Sequence, residues 1–294
     1  MGHIPILVPE IVEMLGCAPQ KNYIDLTLGG AGHGLAILER TGPDGKLWGL
    51  DRDAAAIDRC KKRLAVFGDR VQLIHAPMSR FDEHMAKQDL EQVSGVLIDC
   101  GVSSFQLDEG DRGFSFRFDA PLDMRMDQRD QHTALDLLCE LDERELADVL
   151  YYYGEERYSR RIAKAIHQKL ASGTLATTMD LADLVFHAYP SSARHQKIHP
   201  ATKTFQALRM KVNDELGEIE KTLQKLIQIC PQACRITVLS FHSIEDRLIK
   251  HVFRQAKQEK KIRWLNQHVV VAGKEEQKAN PRSRSAKLRG IEIL

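Results

Sequence analysis

Short apolar runs alternate with longer amphipathic stretches over the first hundred residues. Four runs rich in β-branched and apolar side chains predict buried strands: residues 23–27, 46–50, 71–75 and 93–98. The stretches between them predict helices, as in 54–66, where Ile57, Leu64 and the alanines share one face. Alternating strands and helices predict a parallel sheet covered on both sides, and right-handed crossovers favour a doubly wound, Rossmann-like α/β fold.

The rhythm changes after Gly101. Residues 104–130 have no period, and so long an irregular stretch is typical of a functional segment. The apolar positions of residues 134–189 repeat at helical spacing throughout, which predicts an all-helical insertion. The pattern after residue 200 predicts one long helix, over 201–229, before the chain returns to the sheet. The elements predicted there are a strand over 235–239, a helix over 243–256 and last strands over 268–272 and 287–293. We therefore expect a sheet domain of residues 1–108 and 203–294 and an inserted helical domain of residues 109–202.

Composition excludes several classes of protein. The chain has 294 residues, 43% hydrophobic and 28% charged, which is typical of a globular protein and not of a disordered one. No apolar run reaches the ~18 residues of a membrane span, and the N-terminus has no basic segment or cleavage site of a signal peptide. Six scattered cysteines without a CxxC pair predict reduced thiols and a cytoplasmic protein. His195 and His199 lack neighbouring ligands, so no metal site is expected.

A glycine-rich turn, GGAGHG, follows the first predicted strand. It does not fit the dinucleotide fingerprint, because the sixth position from Gly30 is Leu35, and no G-K-[ST] of a P-loop follows. Asp25, Asp51 and Asp99 lie at the ends of three predicted strands, and Asp51 is at the position where a carboxylate binds ribose hydroxyls. This pattern is typical of class I S-adenosylmethionine (SAM) methyltransferases, although acidic strand ends are also common without such a role.

A series of longer motifs carries a family resemblance over nearly the whole chain. In order they are HIPILVPEIVEML, DLTLGGAGHG, LDRDAAAI, IDCGVSSFQLDEGDRGFSFRFDAPLDMRMD, YGEERYSRRIAKAI, HPATKTFQALRMKVNDELGEIE, ITVLSFHSIEDRLIK and NPRSRSAKLR. The sequence resembles the RsmH (MraW) family of small-subunit ribosomal RNA cytosine-N4 methyltransferases. The resemblance implies a class I methyltransferase fold in which the sheet domain binds SAM and is catalytic, while the helical insertion recognises the substrate. It also implies SAM as cofactor and transfer of its methyl group to the exocyclic N4 of one cytidine in 16S ribosomal RNA, near the decoding region.

The resemblance also implies which residues contact SAM. They are Gly29, Ala31, Gly32, His33, Asp51, Met78, Asp99 and Gln106. Three positions depart from the family pattern. Ala31 stands where the family has glycine, Met78 where it has an aromatic residue, and Phe105 where it has proline. None of these departures removes a charge or a hydrogen-bond donor that SAM needs.

Methylation of an aromatic amine requires a group that localises its lone pair and finally takes a proton. Asp99, or backbone carbonyls beside it, is the candidate acceptor, with Ser103 and Ser104 in the following turn as further catalytic candidates. The N-P-P-Y motif of other amino-methyltransferases is absent. The target base must leave its stack, and either one of Phe114, Phe116 and Phe118 stacks on it, or these side chains pack inside the protein.

The net charge of +1 conceals an asymmetry. From Arg247 to the end there are 13 Lys and Arg and 4 Asp and Glu, while the rest of the chain carries 29 against 37. The basic segment, with Arg282, Arg284, Lys287 and Arg289, predicts phosphate contacts with ribosomal RNA, the alternative being a solvated tail. His242 is predicted either to bind phosphate or to shuttle a proton. One face of the 201–229 helix, with Lys203, Arg209 and Asn213, either faces the RNA or is a solvated polar face.

Two other functions stay open at this stage. An N4-cytosine DNA methyltransferase would use the same cofactor, and a non-catalytic ribosome assembly factor would retain SAM while binding RNA. The sequence does not fix the oligomeric state.

Overall fold

The computed structural model describes residues 4–294, except for the side chain of Ser104. It divides into two compact units. The first comprises the chain up to Gly101 and from Leu216 to Leu294, and the second comprises Val102–Glu215. The second unit therefore begins and ends at other residues than the predicted insertion of 109–202, and the functions assigned to the two domains stay predictions.

A seven-stranded sheet forms the centre of the first unit, in the order β3-β2-β1-β4-β5-β7-β6. The strands are β1 Asn22–Asp25, β2 Leu47–Asp51, β3 Val71–His75, β4 Val93–Asp99, β5 Arg235–Ser240, β6 Ile262–Trp264 and β7 Lys287–Ile293. β1 to β5 are parallel, and β7 pairs antiparallel with both β5 and β6. The chain order reverses between β1 and β4, which in open α/β sheets is where ligands bind at the carboxyl edge. The predicted Rossmann-like α/β fold is confirmed.

Helices cover both faces of this sheet and build the second unit. Along the chain they are α1 Val8–Leu15, α2 Gly32–Arg40, α3 Ala54–Leu64, α4 Lys87–Leu90, α5 Ser104–Asp108, α6 Ala134–Glu140, α7 Glu143–Gly154, α8 Ser159–Ala171, α9 Thr178–Ala188, α10 Ala201–Val212, α11 Glu215–Ile229, α12 Ser243–Gln258 and α13 Lys274–Ala279. Successive residues of β4 enter opposite cores: Val96 and Ile98 pack with Trp48 and Phe253, whereas Leu97 packs with Tyr23. Among residues 4–294, no helix is long and apolar enough to cross a membrane.

The second unit has its own apolar core, contributed mainly by α6 to α10. Its largest contributors include Leu138, Leu146, Leu150, Ile162, Ile166, Leu181 and Leu208. The irregular segment before α6 adds Phe114, Leu122 and Met124 to this core and is also held by ion pairs. Arg125 pairs with Asp123 at 2.7 Å, and Arg129 with Asp127 at 2.6 Å.

The predicted 201–229 helix is in fact two helices, α10 and α11. Asp214 between them has a left-handed backbone (φ 45°). The Asn213 side chain, 1% exposed, donates to the carbonyl of Met124 and accepts from the amide of Met126, both at 2.7 Å. This anchor stops the helix, so the prediction that Asn213 faces RNA is wrong.

The final strands also differ from the prediction. Residues 268–272 form no strand, and Val270 makes one isolated bridge to Leu288. The edge strand is β6, which the sequence pattern did not indicate. The basic C-terminal segment is therefore no solvated tail, because β7 lies inside the sheet.

Gly113 offers a direct test of packing in the second unit. Its φ is +71°, and a Cβ added there would lie 2.4 Å from the carbonyl oxygen of Pro121. We expect Gly113→Ala to lower the free energy of unfolding by more than about 2 kcal/mol, since left-handed strain of ~1–2 kcal/mol adds to a clash with backbone. Gly173→Ala is the matched control, since Gly173 is also left-handed (φ +65°) but no atom lies within 4 Å of the added Cβ. Urea unfolding measures both variants. Equal losses of unfolding free energy in Gly113→Ala and Gly173→Ala would contradict the clash with Pro121.

Candidate functional site

Three aspartates end neighbouring parallel strands of the first unit: Asp25 on β1, Asp51 on β2 and Asp99 on β4. Since the carboxyl ends of parallel strands meet at one edge, this alignment follows from the order β2-β1-β4. The backbone links two of these ends, because the amide of Asp99 donates to the Thr27 hydroxyl at 2.6 Å. Thr27 is a site residue that sequence reasoning missed, although its place directly after β1 is the signal that would have identified it.

Asp51 fastens the glycine-rich turn to the end of β2. Its Oδ2 accepts from the amide of Gly29 at 2.7 Å, and its Oδ1 accepts from the amide of Asp53 at 2.9 Å. Each carboxylate oxygen therefore has one protein donor and keeps capacity for a further one. Burial raises the pKa of Asp51 to about 6.

The turn itself bends through left-handed residues, with Gly29 at φ 52° and Ala31 at φ 58°. α2 begins directly after it at Gly32, where an added Cβ would lie 2.8 Å from Cβ of Pro5. Ala31 is fully buried and packs in the apolar core with Ile6 and Leu28. Its extra methyl group, one of the departures from the family pattern, therefore lies inside the protein.

His33, in the first turn of α2, lies between the protein backbone and Asp99. Its Nε2 is 2.8 Å from the carbonyl oxygen of Ile6 and must donate to it, while Nδ1 is 3.5 Å from Oδ2 of Asp99. Burial lowers the pKa of His33 and raises the pKa of Asp25. The charges of these two residues also interact with each other. The His33 proton that the bond to Ile6 uses is on Nε2. A hydrogen bond between His33 Nδ1 and Asp99 Oδ2 therefore needs a second proton, carried by either of these two atoms.

Asp99 keeps one oxygen without a protein partner. Its side chain is 22% exposed, yet Oδ1 is buried, and no hydrogen-bond partner for it exists among the described residues. Burial, followed by the charge of Glu245, raises the pKa of Asp99 to about 7. A buried carboxylate oxygen without a donor points to a ligand that supplies one.

Glu245 is a second residue that sequence reasoning missed. It is fully buried in α12, and its Oε2 accepts from the amide of Phe241 at 2.8 Å. His242 caps α12: its Nδ1 accepts from the amide of Glu245 at 3.3 Å. The Glu245 carboxylate in turn accepts from the amide of His242, which completes a capping box.

Met78 follows β3 at the same edge of the sheet. It begins a short 3₁₀ turn, Met78–Glu83, is partly buried and packs against the core that contains Trp48 and Phe81. The next residue is fixed by α11, since the Ser79 hydroxyl donates to Glu218 at 2.8 Å. The structure thus brings Gly29, Ala31, Gly32, His33, Asp51, Met78 and Asp99 to one edge of the first unit.

Ser103 and Gln106 belong to the second unit, where they cap α5 reciprocally. Ser103 Oγ accepts from the amide of Gln106 at 3.3 Å, and Gln106 Oε1 accepts from the amide of Ser103 at 3.0 Å. These contacts give both residues a structural function, so their catalytic and cofactor-binding roles stay predictions. The side chain of Ser104 lies outside the described residues.

The three phenylalanines of the irregular segment have different surroundings. Phe114 is buried, and Phe116 packs with its ring centroid 5.1 Å from that of Phe205. Phe118 is the exposed member, at 46%. Packing inside the protein therefore accounts for two of the three.

Two of the four C-terminal cations predicted to contact RNA, Lys287 and Arg289, form ion pairs within the protein. Arg289 lies 2.7 Å and Lys287 3.2 Å from the two carboxylate oxygens of Asp246. Along α10, Arg209 pairs with Glu215 at 2.7 Å, and Lys203 donates to the carbonyl of Glu155. Within the described part of the chain, no three His, Cys, Asp or Glu side chains come together as a metal site.

Comparison with known proteins assigns the chain to a family. Residues 1–294 match the model of the MraW methylase family over their full length. The chain is 45% identical to a protein of Geobacter sulfurreducens over 308 residues, covering 100% of this chain and 99% of the relative. It is 46% identical to one of Picosynechococcus sp. over 292 residues, covering 99% and 96% respectively. Both relatives are named ribosomal RNA small subunit methyltransferase H. The chain therefore belongs to the MraW methylase family.

Proposed function

We propose that the protein transfers the methyl group of SAM to the exocyclic N4 of one cytidine in 16S ribosomal RNA of the small ribosomal subunit, near the decoding region. The observation that carries this proposal is the alignment of Asp51 and Asp99 at the carboxyl ends of β2 and β4, around the turn from Gly29 to His33. Membership of a methylase family and the names of the relatives support it. The reaction is assigned to the cytoplasm, where bacterial ribosomal subunits are.

The residues at the sheet edge fit SAM. Asp51 has spare acceptor capacity for two ribose hydroxyls, since each of its oxygens is already held by one backbone amide. Asp99 is assigned to SAM by the family motif, and its buried Oδ1 has no protein donor among the described residues, which leaves that oxygen to accept from the amine that is methylated. Met78 offers a flexible apolar side chain at the position assigned to the adenine. Gln106 is assigned to SAM by the family motif alone.

In the reaction, bound SAM supplies a methyl group on a sulfonium, which is a good leaving group. The protein must therefore orient the amine in line with the methyl group and localise its lone pair. Asp99 Oδ1 does the latter by accepting a hydrogen bond from N4. Methyl transfer would break the C–S bond of SAM as the C–N bond forms, so that the sulfur leaves as a neutral thioether and N4 becomes cationic. Asp99 would then take the proton that N4 releases. Ser103 and Ser104 stay proposed contacts of the amine.

Methyl transfer to small subunits tests the proposal. The substrate is small subunits from cells that lack this modification, incubated with the protein and isotopically labelled SAM. We expect one labelled N4-methylcytidine per subunit in nucleoside mass spectrometry, and none on subunits that already carry the mark. SAM binding without transfer would instead support the non-catalytic assembly factor. Label in DNA and none in RNA would support the DNA methyltransferase.

A further inference from the structure

One exposed face of α8 carries only cations and amides. Arg160, Arg161 and Lys164 are exposed, spaced so that they share a face with Gln168, and Arg157 stands two residues before the helix begins. The opposite face, with Ile162 and Ile166, is buried in the core of the second unit. We call Arg157, Arg160, Arg161 and Lys164 the α8 stripe.

The positive charge of the α8 stripe is not compensated. From Arg157 to Met179 the chain has no Asp or Glu. Across residues 4–294, no carboxylate forms an ion pair with any of the four cations. Other exposed lysines of the protein differ in this respect, since Lys61, Lys87 and Lys278 each pair with a carboxylate three or four residues away along the chain. An uncompensated row of cations produces a local positive potential that attracts a polyanion.

Exposed aromatic rings lie next to the α8 stripe along the chain. Tyr151 and Tyr152, in the last turn of α7, are 55% and 65% exposed, with ring centroids 5.2 Å apart. The guanidinium of Arg157 lies over the ring of Tyr158, 4.6 Å from its centroid. Cations that follow a backbone, combined with rings on which bases stack, are typical of surfaces that bind single-stranded nucleic acid.

We propose that the α8 stripe binds the phosphate backbone of RNA, and that Tyr151 and Tyr152 offer a stacking surface beside it. That this RNA is ribosomal rests on the proposed function above. The positive charge of the stripe favours a polyanion as its partner. A lipid surface is disfavoured, because Ile162 and Ile166 are buried and α8 has no apolar face left to enter it. The pairing of Lys287 and Arg289 with Asp246 makes the C-terminal segment the weaker candidate for these contacts.

The test removes charge from the α8 stripe at constant fold. The variant is R160Q/R161Q/K164Q, and RNA binding is measured over a series of salt concentrations. Each lost phosphate contact lowers the slope of log K against log salt by ~0.7, so we expect the slope to fall by about 2 and the affinity near 0.1 M salt to fall roughly 10- to 100-fold. SAM affinity, and kcat at saturating RNA, should equal those of the wild type.

The matched control is K61Q/K87Q/K278Q, which removes the same charge at exposed lysines that have carboxylate partners. It should retain most of the affinity, and R160K/R161K should retain the salt slope. Equal losses in the Gln triple variant and its control would overturn the inference in favour of bulk charge, as would an unchanged slope. Binding to anionic phospholipid vesicles without binding to RNA would also overturn it. If wild-type protein binds RNA through the α8 stripe but transfers no methyl group, only the proposed function fails.

Discussion

Asp99→Asn should slow methyl transfer by about 10²- to 10⁴-fold at saturating SAM and RNA, the range by which one acid–base group contributes to a rate. Asparagine has almost the same size, but its amide accepts hydrogen bonds more weakly and takes no proton. The residue is chosen because its Oδ1 is buried without a protein donor at the ligand-binding edge of the sheet. Single-turnover rates with labelled SAM measure the effect, and SAM affinity is measured separately by calorimetry.

The same residue predicts how the rate depends on pH. Burial and the charge of Glu245 raise the pKa of Asp99 to about 7, so a growing fraction is protonated as the pH falls below 7. A protonated carboxyl cannot take the proton of N4, and the rate should therefore rise through pH 7 and level off above it. His33 faces Asp99 at 3.5 Å, and Asp25 interacts with both, so the apparent pKa belongs to this group of residues. The Asn variant should lose this rise.

Asp25→Asn is the matched control for Asp99→Asn. It removes a buried carboxyl from the adjacent strand end, and asparagine keeps an oxygen for the amide of Thr27, which Asp25 Oδ1 accepts at 3.1 Å. We expect a loss of about tenfold or less, since Oδ1 of Asp25 already accepts from the amide of Thr27 and Asp25 has no proposed part in the proton transfer. An Asp99→Asn protein that binds SAM and reacts at the wild-type rate would eliminate the side chain as acceptor and leave the neighbouring backbone carbonyls.

The edge of the sheet was predictable because its residues follow from local pattern. Strand ends are visible in the sequence as apolar runs, and parallel strands bring their carboxyl ends together whatever the remaining packing is. The sequence alone therefore predicts that Asp25, Asp51 and Asp99 lie together at this edge. Identification of Met78 depended on the family motif, because a single methionine after a strand carries no signal of its own.

Features that depend on distant partners were not predictable in this way. α10 ends at Asn213 because its side chain binds backbone groups of Met124 and Met126, almost ninety residues earlier. The basic C-terminal segment appeared free in a count of charges, yet Asp246 binds Lys287 and Arg289 once β7 is in the sheet. Conversely, a net charge near zero does not indicate the α8 stripe. Its cations are distinguished from those elsewhere only by the absence of ion pairs, which the structure shows across residues 4–294.

Asp51→Ala should weaken SAM binding roughly 100-fold, equivalent to about 3 kcal/mol, because two charge-assisted hydrogen bonds to ribose hydroxyls are lost. Part of the loss comes from the turn, since Gly29 loses the acceptor of its amide at 2.7 Å. Asp51→Asn keeps one good acceptor and should lose about tenfold. Burial raises the pKa of Asp51 to about 6, so wild-type affinity should increase as the pH rises through 6, and the alanine variant should show no such increase.

Asp58→Ala is the control for Asp51→Ala, because it removes the same charge from the next helix at an exposed carboxylate paired with Lys61. Calorimetric titration with SAM should give wild-type affinity for this variant. If Asp51→Ala binds SAM as tightly as Asp58→Ala does, the ribose is not held at the end of β2. The turn from Gly29 to His33 would then have to hold SAM through its backbone and the start of α2 alone, and Asp51 would serve only to fix the fold of that turn.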